Sequence, residues 1–407
     1  MSQRRVVITG MGIYSSLGKN LQEVTESLFL GRSGIGFDPL RKQFGYQSGL
    51  TGILERPVLK GLLDRRSRAS LSEAGEYAYI ATSEAMNRAK LDVGYCINNE
   101  VGMLYGNDSS VEPVVRSIDA IREKGDTVMA GSAAIFQSLN STVSMNLSVI
   151  FKIQGINLTV SGACASGSHA VGLGSLLIKW GLQDCIICGG AQEVNLYSVS
   201  TFDALSAFSK REDQPQSASR PFDIKRDGLV PSGGAATIIL ENYESALKRG
   251  APIIAEIIGY GFSSNGEHLS VPNVAGPSRA IEKSIREAGI SASDICYVNA
   301  HATSTQIGDR NEAQAIANVF GDNTVYVAST KAMTGHEMWM AGASEIVYST
   351  LMMQNNFIAP NINFETPDEA SARLKIPTKT IETKFDVFLS NSFGFGGTNS
   401  SLIVKKV

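Results

Sequence analysis

The chain has 407 residues, of which 43% are hydrophobic and 18% charged. An average soluble chain is ~25% charged, so a disordered or solvating polypeptide is excluded, and a large interior, an oligomer face, or both are expected. A net charge of −3 excludes a nucleic-acid binder that works through a dominant basic field. At roughly 150 residues per domain, the length fits two or three units or one large α/β body. The five cysteines cannot all pair internally. With no secretory segment in view, reduced thiols and a cytoplasmic location are expected. No apolar run reaches the ~18 residues that a membrane helix needs.

In chain order, β-branched runs alternate with helical stretches. A strand is expected over Arg4–Thr9, with Gly10-Met-Gly12 as the turn after it, then a helix over Leu21–Leu30 ended by Gly31. Ser72–Ala89 reads as a helix, and Val101–Tyr105 and Asn157–Val160 as strands. Between those strands, residues 107–142 read as an irregular, Ser-rich insertion or cap. Cys164–Trp180 reads as a helix, and Cys185–Cys188 and Ala235–Leu240 as strands. A similar order then recurs. Strands are expected over Ile253–Tyr260, Ile295–Asn299 and Val325–Ser329, with helices over Ser278–Ala288, Glu312–Phe320 and Met340–Met353. Phe385–Ser390 and Ser401–Val404 are the last strands. This grammar predicts mainly parallel sheets covered on both faces. It also predicts a duplicated α/β unit, with halves 1–250 and 251–407 in one compact body.

Two motifs resemble functional ones only in spelling. Gly10-Met-Gly12 follows a strand, but the third glycine of a dinucleotide loop falls on Ser15, and no acidic residue ends a second strand at the required distance. Cys185-Ile-Ile-Cys188 lies in an apolar strand, where residues three apart face opposite sides. Core packing is therefore expected there, and Cys96 and Cys296 are expected to be buried thiols as well.

Cys164 differs from these. It lies in Val160-Ser-Gly-Ala-Cys164-Ala-Ser-Gly-Ser168, at a strand-to-helix junction among small residues. A helix N-terminus favours thiolate, which makes Cys164 a candidate nucleophile; the alternative is a small core residue at a tight turn. His301 and His336 each follow a strand, where open α/β sheets place their sites. His169 is expected to pack inward behind the nucleophile, and His268 to be solvated in a loop.

The sequence resembles the β-ketoacyl-[acyl-carrier-protein] synthases of the elongating Cys-His-His type, in the thiolase superfamily. The resemblance runs over essentially the whole chain. It rests on Val7-Ile-Thr-Gly-Met-Gly12, Gly31-Arg-Ser-Gly34, Ser219-Arg-Pro-Phe-Asp223, Arg226-Asp-Gly228, His301-Ala-Thr-Ser-Thr305, Lys331-Ala-Met-Thr-Gly-His336 and Asn391-Ser-Phe-Gly-Phe-Gly-Gly-Thr-Asn399. It implies an α/β thiolase fold of two β-α-β-α-β-α-β-β halves in five layers, α-β-α-β-α. It also implies a decarboxylative Claisen condensation. Cys164 would carry the acyl group, and His301 and His336 would assist malonyl decarboxylation and stabilise the enolate oxygen. The N–H groups of Cys164 and Phe395 would form an oxyanion hole, with Phe395 gating between Gly394 and Gly396. Lys331, Asp309, Glu312 and Glu345 would form a supporting charged network. Thr303 and Thr305 would hydrogen-bond the phosphopantetheine arm. That arm arrives with the acyl carrier protein, so no bound cofactor or metal is implied. Arg65, Arg66 and Arg68 would offer the carrier a basic patch. The family is dimeric, so the partner would be a second copy or a ketosynthase-like chain-length factor.

Some positions depart from the family pattern. After the second histidine, Ser-Leu-Gly-Ala-Ala-Gly is usual, but this chain reads Glu337-Met-Trp-Met-Ala-Gly342. Trp339 is expected to fill space left by Gly167 or Gly174, and Glu337 to complement a helix dipole. Ala302 replaces a glycine, Gln306 a proline and Asn265 an aspartate, and residues 125–143 lack lysine and arginine. These departures favour a specialised fatty-acid, polyene or polyketide pathway, with housekeeping fatty-acid elongation as the alternative. A thiolase, a cysteine hydrolase or a non-catalytic acyl-binding subunit are more distant readings.

Overall fold

The computed structural model describes residues 4–407. Ten strands form the main hydrogen-bonded order. The N-terminal half supplies β1 (Val6–Ser15), β2 (Val101–Gly106), β3 (Asn157–Val160), β4 (Cys185–Gln192) and β5 (Gly234–Asn242). The C-terminal half supplies β6 (Ala255–Ser264), β7 (Tyr297–Asn299), β8 (Tyr326–Ala328), β9 (Val387–Phe393) and β10 (Thr398–Lys406). Their order is β8-β7-β9-β10-β6-β1-β5-β4-β2-β3. Outward from the middle, the two halves repeat one another: β1-β5-β4-β2-β3 matches β6-β10-β9-β7-β8. A short antiparallel ladder, Val7 with Glu256 and Ile8 with Ala255, joins them.

The mainly parallel expectation is corrected in the middle. The two outermost pairings on each side are parallel, while the five central ones are antiparallel. Only a short turn, Phe395–Gly397, separates β9 from β10. A parallel pairing needs a long crossover, so this turn dictates antiparallel geometry. Residue alternation carries no information on strand direction.

Three apolar clusters define the layering. Helices Ser166–Lys179 and Ala341–Asn355 pack on each other and on strands of both halves, inside the largest cluster. Residues Ala341 to Met353 are all buried, as expected of a helix sandwiched between sheets. Helices Glu73–Arg88 and Thr142–Phe151 cover the far face of the N-terminal strands. Helices Ala275–Ala288 and Gln306–Phe320 are the counterpart on the C-terminal strands. The result is five layers, α-β-α-β-α. Cys185 and Ile187 face one cluster, and Ile186 and Cys188 another, so the C-x-x-C sulfurs lie on opposite faces of β4.

Gly10 and Gly12 do not make a turn. The strand continues to Ser15, with a register shift between Ile8 and Gly10. A Cβ on Gly12 would collide with the backbone of Ala81 and Ala85, and one on Gly10 with the carbonyl of Ala85. These glycines let helix Glu73–Arg88 lie directly on the sheet. The segment 107–142 is not irregular throughout, because it contains the helix Glu112–Lys124. Cys296 precedes β7 and is exposed, contrary to expectation. No helix among the described residues is long and apolar enough to cross a membrane.

Candidate active site

Cys164 sits in a 3-10 turn, Ala163–Ala165, between β3 and helix Ser166–Lys179. The preceding Ala163 has φ 47, a left-handed conformation that costs a non-glycine residue energy and persists only where neighbours enforce it. Three hydrogen bonds do so. Gly162 N donates to Ser166 Oγ at 2.9 Å, Ser166 Oγ donates to Ala163 O at 2.6 Å, and Ala163 N donates to Asp108 Oδ2 at 3.1 Å.

The two histidines reach this turn from the C-terminal half. His301 follows β7, and Glu312 fixes its backbone: His301 N and Ala302 N donate to the carboxylate at 2.9 and 2.6 Å, and Asn391 Nδ2 adds a bond at 3.2 Å. His336 lies beyond β8 and the short helix Lys331–Thr334. Its N–H donates to Val230 O at 2.7 Å, and Ser232 N donates to its carbonyl at 2.8 Å. His336 Nε2 lies 3.1 Å from Cys164 Sγ. The two imidazoles meet edge to face, with centroids 5.4 Å apart.

Burial sets the electrostatics. It pushes the Cys164 thiol up to about 12, against the Lys331 charge and hydrogen bonds from the N–H groups of Cys164 and Phe395. The thiolate expected from the helix N-terminus is therefore not the resting form. Burial, then the Lys331 charge, lowers both His301 and His336 well below the ordinary histidine value, so both rings are neutral. Lys331 is buried in an ion pair with Glu345. Burial raises the carboxyl groups of Glu312 and Glu345 to about 7 and that of Asp309 to about 6. Asp309 accepts from Phe222 N at 2.8 Å and from Thr305 N at 3.2 Å, beside Arg226.

A cavity of about 410 Å³ runs from the surface to the sulfur. Cys164, both histidines, Thr303, Thr305, Gly394 and Phe395 line it. The two threonine hydroxyls are 3.2 Å apart. Gly394 is needed for close approach, since a Cβ there would stand 2.9 Å from Gly162 O. Gly396, at φ 76, turns the chain after Phe395. Arg65, Arg66 and Arg68 are on the short helix Arg65–Ser70, outside the cavity; Arg65 and Arg66 are exposed, and Arg68 is half-buried. His268 is exposed at the cavity rim. His169 hydrogen-bonds Tyr260 Oη at 2.6 Å and Thr398 Oγ1 at 2.9 Å, and burial lowers it to about 4. Among the described residues, no group of three or more His, Cys, Asp or Glu side chains is placed to hold a metal ion.

One expectation is corrected. The Trp339 indole does not enter space left by a glycine. A Cβ on Gly167 would meet the backbone of Trp339, Met340 and Ala343 at 3.0, 3.1 and 2.9 Å, and one on Gly174 would meet Cys188 Sγ. The glycines admit a backbone and a sulfur, while the indole packs near Phe202 in the apolar cluster that also holds Cys164. Glu337 stands in the turn just before helix Ala341–Asn355. It is 2% exposed and accepts from Ser344 Oγ at 2.5 Å and Tyr348 Oη at 2.7 Å. Sequence reading missed Phe202, stacked 5.7 Å from Phe395, and the Asp108-Ser109 loop. Neither stands in a local pattern that marks it.

The fold and the Cys-His-His cluster define a thiolase-fold condensing enzyme, an acyltransferase. The chain belongs to the β-ketoacyl synthase family: residues 3–246 match "Beta-ketoacyl synthase, N-terminal domain" and residues 254–365 match "Beta-ketoacyl synthase, C-terminal domain". It is 40% identical to a 3-oxoacyl-[acyl-carrier-protein] synthase 1 of Haemophilus influenzae, over 99% of each chain. A β-ketoacyl synthase from Burkholderia phymatum superposes with TM-score 0.94 at 36% identity, covering 99% of this chain and 100% of that one. The ishigamide ketosynthase/chain length factor superposes at 0.93 with 29% identity, covering 100% of both chains.

Proposed function

We propose that this enzyme condenses an acyl group held on Cys164 with a malonyl thioester carried by an acyl carrier protein, in fatty-acid elongation. The observation that carries the reading is the 3.1 Å approach of His336 Nε2 to Cys164 Sγ, with His301 beside it and both rings neutral. In the first half-reaction the Cys164 thiol gives up its proton, which ends on the departing carrier thiol. Sγ forms a bond to the acyl carbon, and the carrier thiol leaves with a proton. In the second, the malonyl carboxylate leaves as carbon dioxide and its electron pair passes to an enolate. The enolate forms the new carbon–carbon bond as the Cys164 thioester breaks. Neutral imidazole N–H groups aimed at the enolate oxygen stabilise charge only as it develops, which lowers the barrier. The N–H groups of Cys164 and Phe395 do the same for the acyl oxygen. Thr303 and Thr305 hold the phosphopantetheine arm at the cavity mouth, and Arg65, Arg66 and Arg68 attract the acidic carrier.

Intact-mass spectrometry after incubation with acyl carrier protein loaded with an acyl group tests this. An acyl adduct on Cys164, absent in Cys164→Ala, supports the reading, and no adduct defeats it.

Fatty-acid elongation displaces the specialised-pathway preference because the Haemophilus influenzae relative, a 3-oxoacyl-[acyl-carrier-protein] synthase 1, is the more similar in sequence. The specialised reading stays second, supported by the likeness to the ishigamide enzyme. A second ketosynthase-like chain as partner is supported by that same complex and by β3, whose Leu158 is exposed at the sheet edge.

A further inference from the structure

Trp339 stands in the 3-10 turn Met338–Met340, which packs on the nucleophile turn. It shares one apolar cluster with Cys164, Met338, Phe208 and Leu229, and Phe202 packs against that cluster. The indole is fixed on two sides. Its Nε1–H donates to Ser109 Oγ at 3.1 Å, and its ring lies 6.2 Å from that of Phe202, which in turn stacks on Phe395. Ser109 follows Asp108, whose carboxylate holds Ala163 N. One loop therefore grips both the nucleophile turn and the indole.

The open cavity includes Cys164, Phe202 and Phe395 but neither Met338 nor Trp339. Both belong instead to the buried apolar cluster that holds Cys164. A thioester arm enters past Thr303 and Thr305, so the alkyl end of the transferred group needs apolar space on the far side of Sγ. Trp339 and Met338 are buried side chains of the apolar cluster around Cys164 that could occupy such space. Displacing the indole breaks its hydrogen bond and its packing on Phe202, and a close-packed wall yields little.

We propose that Trp339, pinned by Ser109 and backed by Phe202, is the specificity-determining wall of the acyl site and restricts Cys164 to short acyl groups. The proposal rests on the acyl-thioester reading above.

The test loads acyl carrier protein with acetyl, hexanoyl or dodecanoyl groups and follows Cys164 acylation by intact mass. It compares the full-length enzyme with Trp339→Ala, Trp339→Phe and Ser109→Ala. Wild type is expected to prefer acetyl over dodecanoyl by at least about tenfold in kcat/KM, the discrimination a filled apolar pocket gives for extra methylenes. Trp339→Ala brings the two within a few-fold of each other. Trp339→Phe keeps most of the preference, and Ser109→Ala falls between. Equal use of acetyl and dodecanoyl by wild type overturns the proposal, as does an unchanged ratio in Trp339→Ala. If Trp339→Ala does not fold, Ser109→Ala decides by the same ratio. Failure of wild type to acylate with all three removes the parent reading of Cys164, which is a separate result from a flat length profile.

Discussion

His336 Nε2 lies 3.1 Å from Cys164 Sγ although 172 residues separate the two along the chain. The approach is a consequence of the duplicated topology. Cys164 follows β3 and His336 follows β8, equivalent strands of the two halves, and the buried helices between the sheets bring those strand ends together.

His301→Ala and His336→Ala should each reduce malonyl-carrier decarboxylation, by roughly 10²–10³, the usual loss when one preorganised donor is removed. Decarboxylation assayed on its own, without acyl transfer, checks this. Wild-type rates in both variants defeat the assignment.

Glu312 holds the backbone that presents His301. Glu312→Ala leaves two buried N–H groups without an acceptor, at about 1–3 kcal/mol each. Denaturant unfolding should show that loss, and condensation should fall with it. Glu312→Gln offers one acceptor oxygen for the two N–H groups and should recover part of both.

The carboxyl of Glu337 is raised to about 7 by burial, from an ordinary 4.5. Between those values the folded protein holds a proton that the unfolded chain has released. The stability this group contributes is full below about 4.5 and is lost as pH rises to about 7. Wild type should therefore lose stability relative to Glu337→Gln across that window, by up to on the order of 3 kcal/mol. Paired melting curves at acid and neutral pH measure the difference, and parallel curves refute it.

Gly167→Ala places a methyl against the backbone of Trp339, Met340 and Ala343. Overpacking of this kind costs about 1–3 kcal/mol. Since the contact is with main-chain atoms, Trp339→Ala should not rescue it. A double-mutant cycle in chemical denaturation checks this, and rescue would mean that the indole fills the gap after all.

Helix Leu21–Leu30 and its Gly31 stop were legible because cap and period are local signals. So was the opposed facing of Cys185 and Cys188, which follows from strand alternation. The Gly10-Met-Gly12 reading failed because a glycine that frees a turn and a glycine that admits a helix are spelled alike. Only the backbone of Ala81 and Ala85 distinguishes them. The exposure of Cys296 was equally hidden, since it depends on where β7 begins.

By itself, the sequence determined the alternation of strands and helices and the duplicated halves, and it singled out Cys164, His301 and His336 as candidate site residues. Each rests on local residue chemistry at the end of a strand or the start of a helix. Tertiary structure alone decided the antiparallel middle of the sheet, the neutral state of the thiol and both imidazoles, and the packing of Trp339 in the apolar cluster of Cys164. Those depend on burial and on contacts between distant segments, and no local spacing in the chain records them.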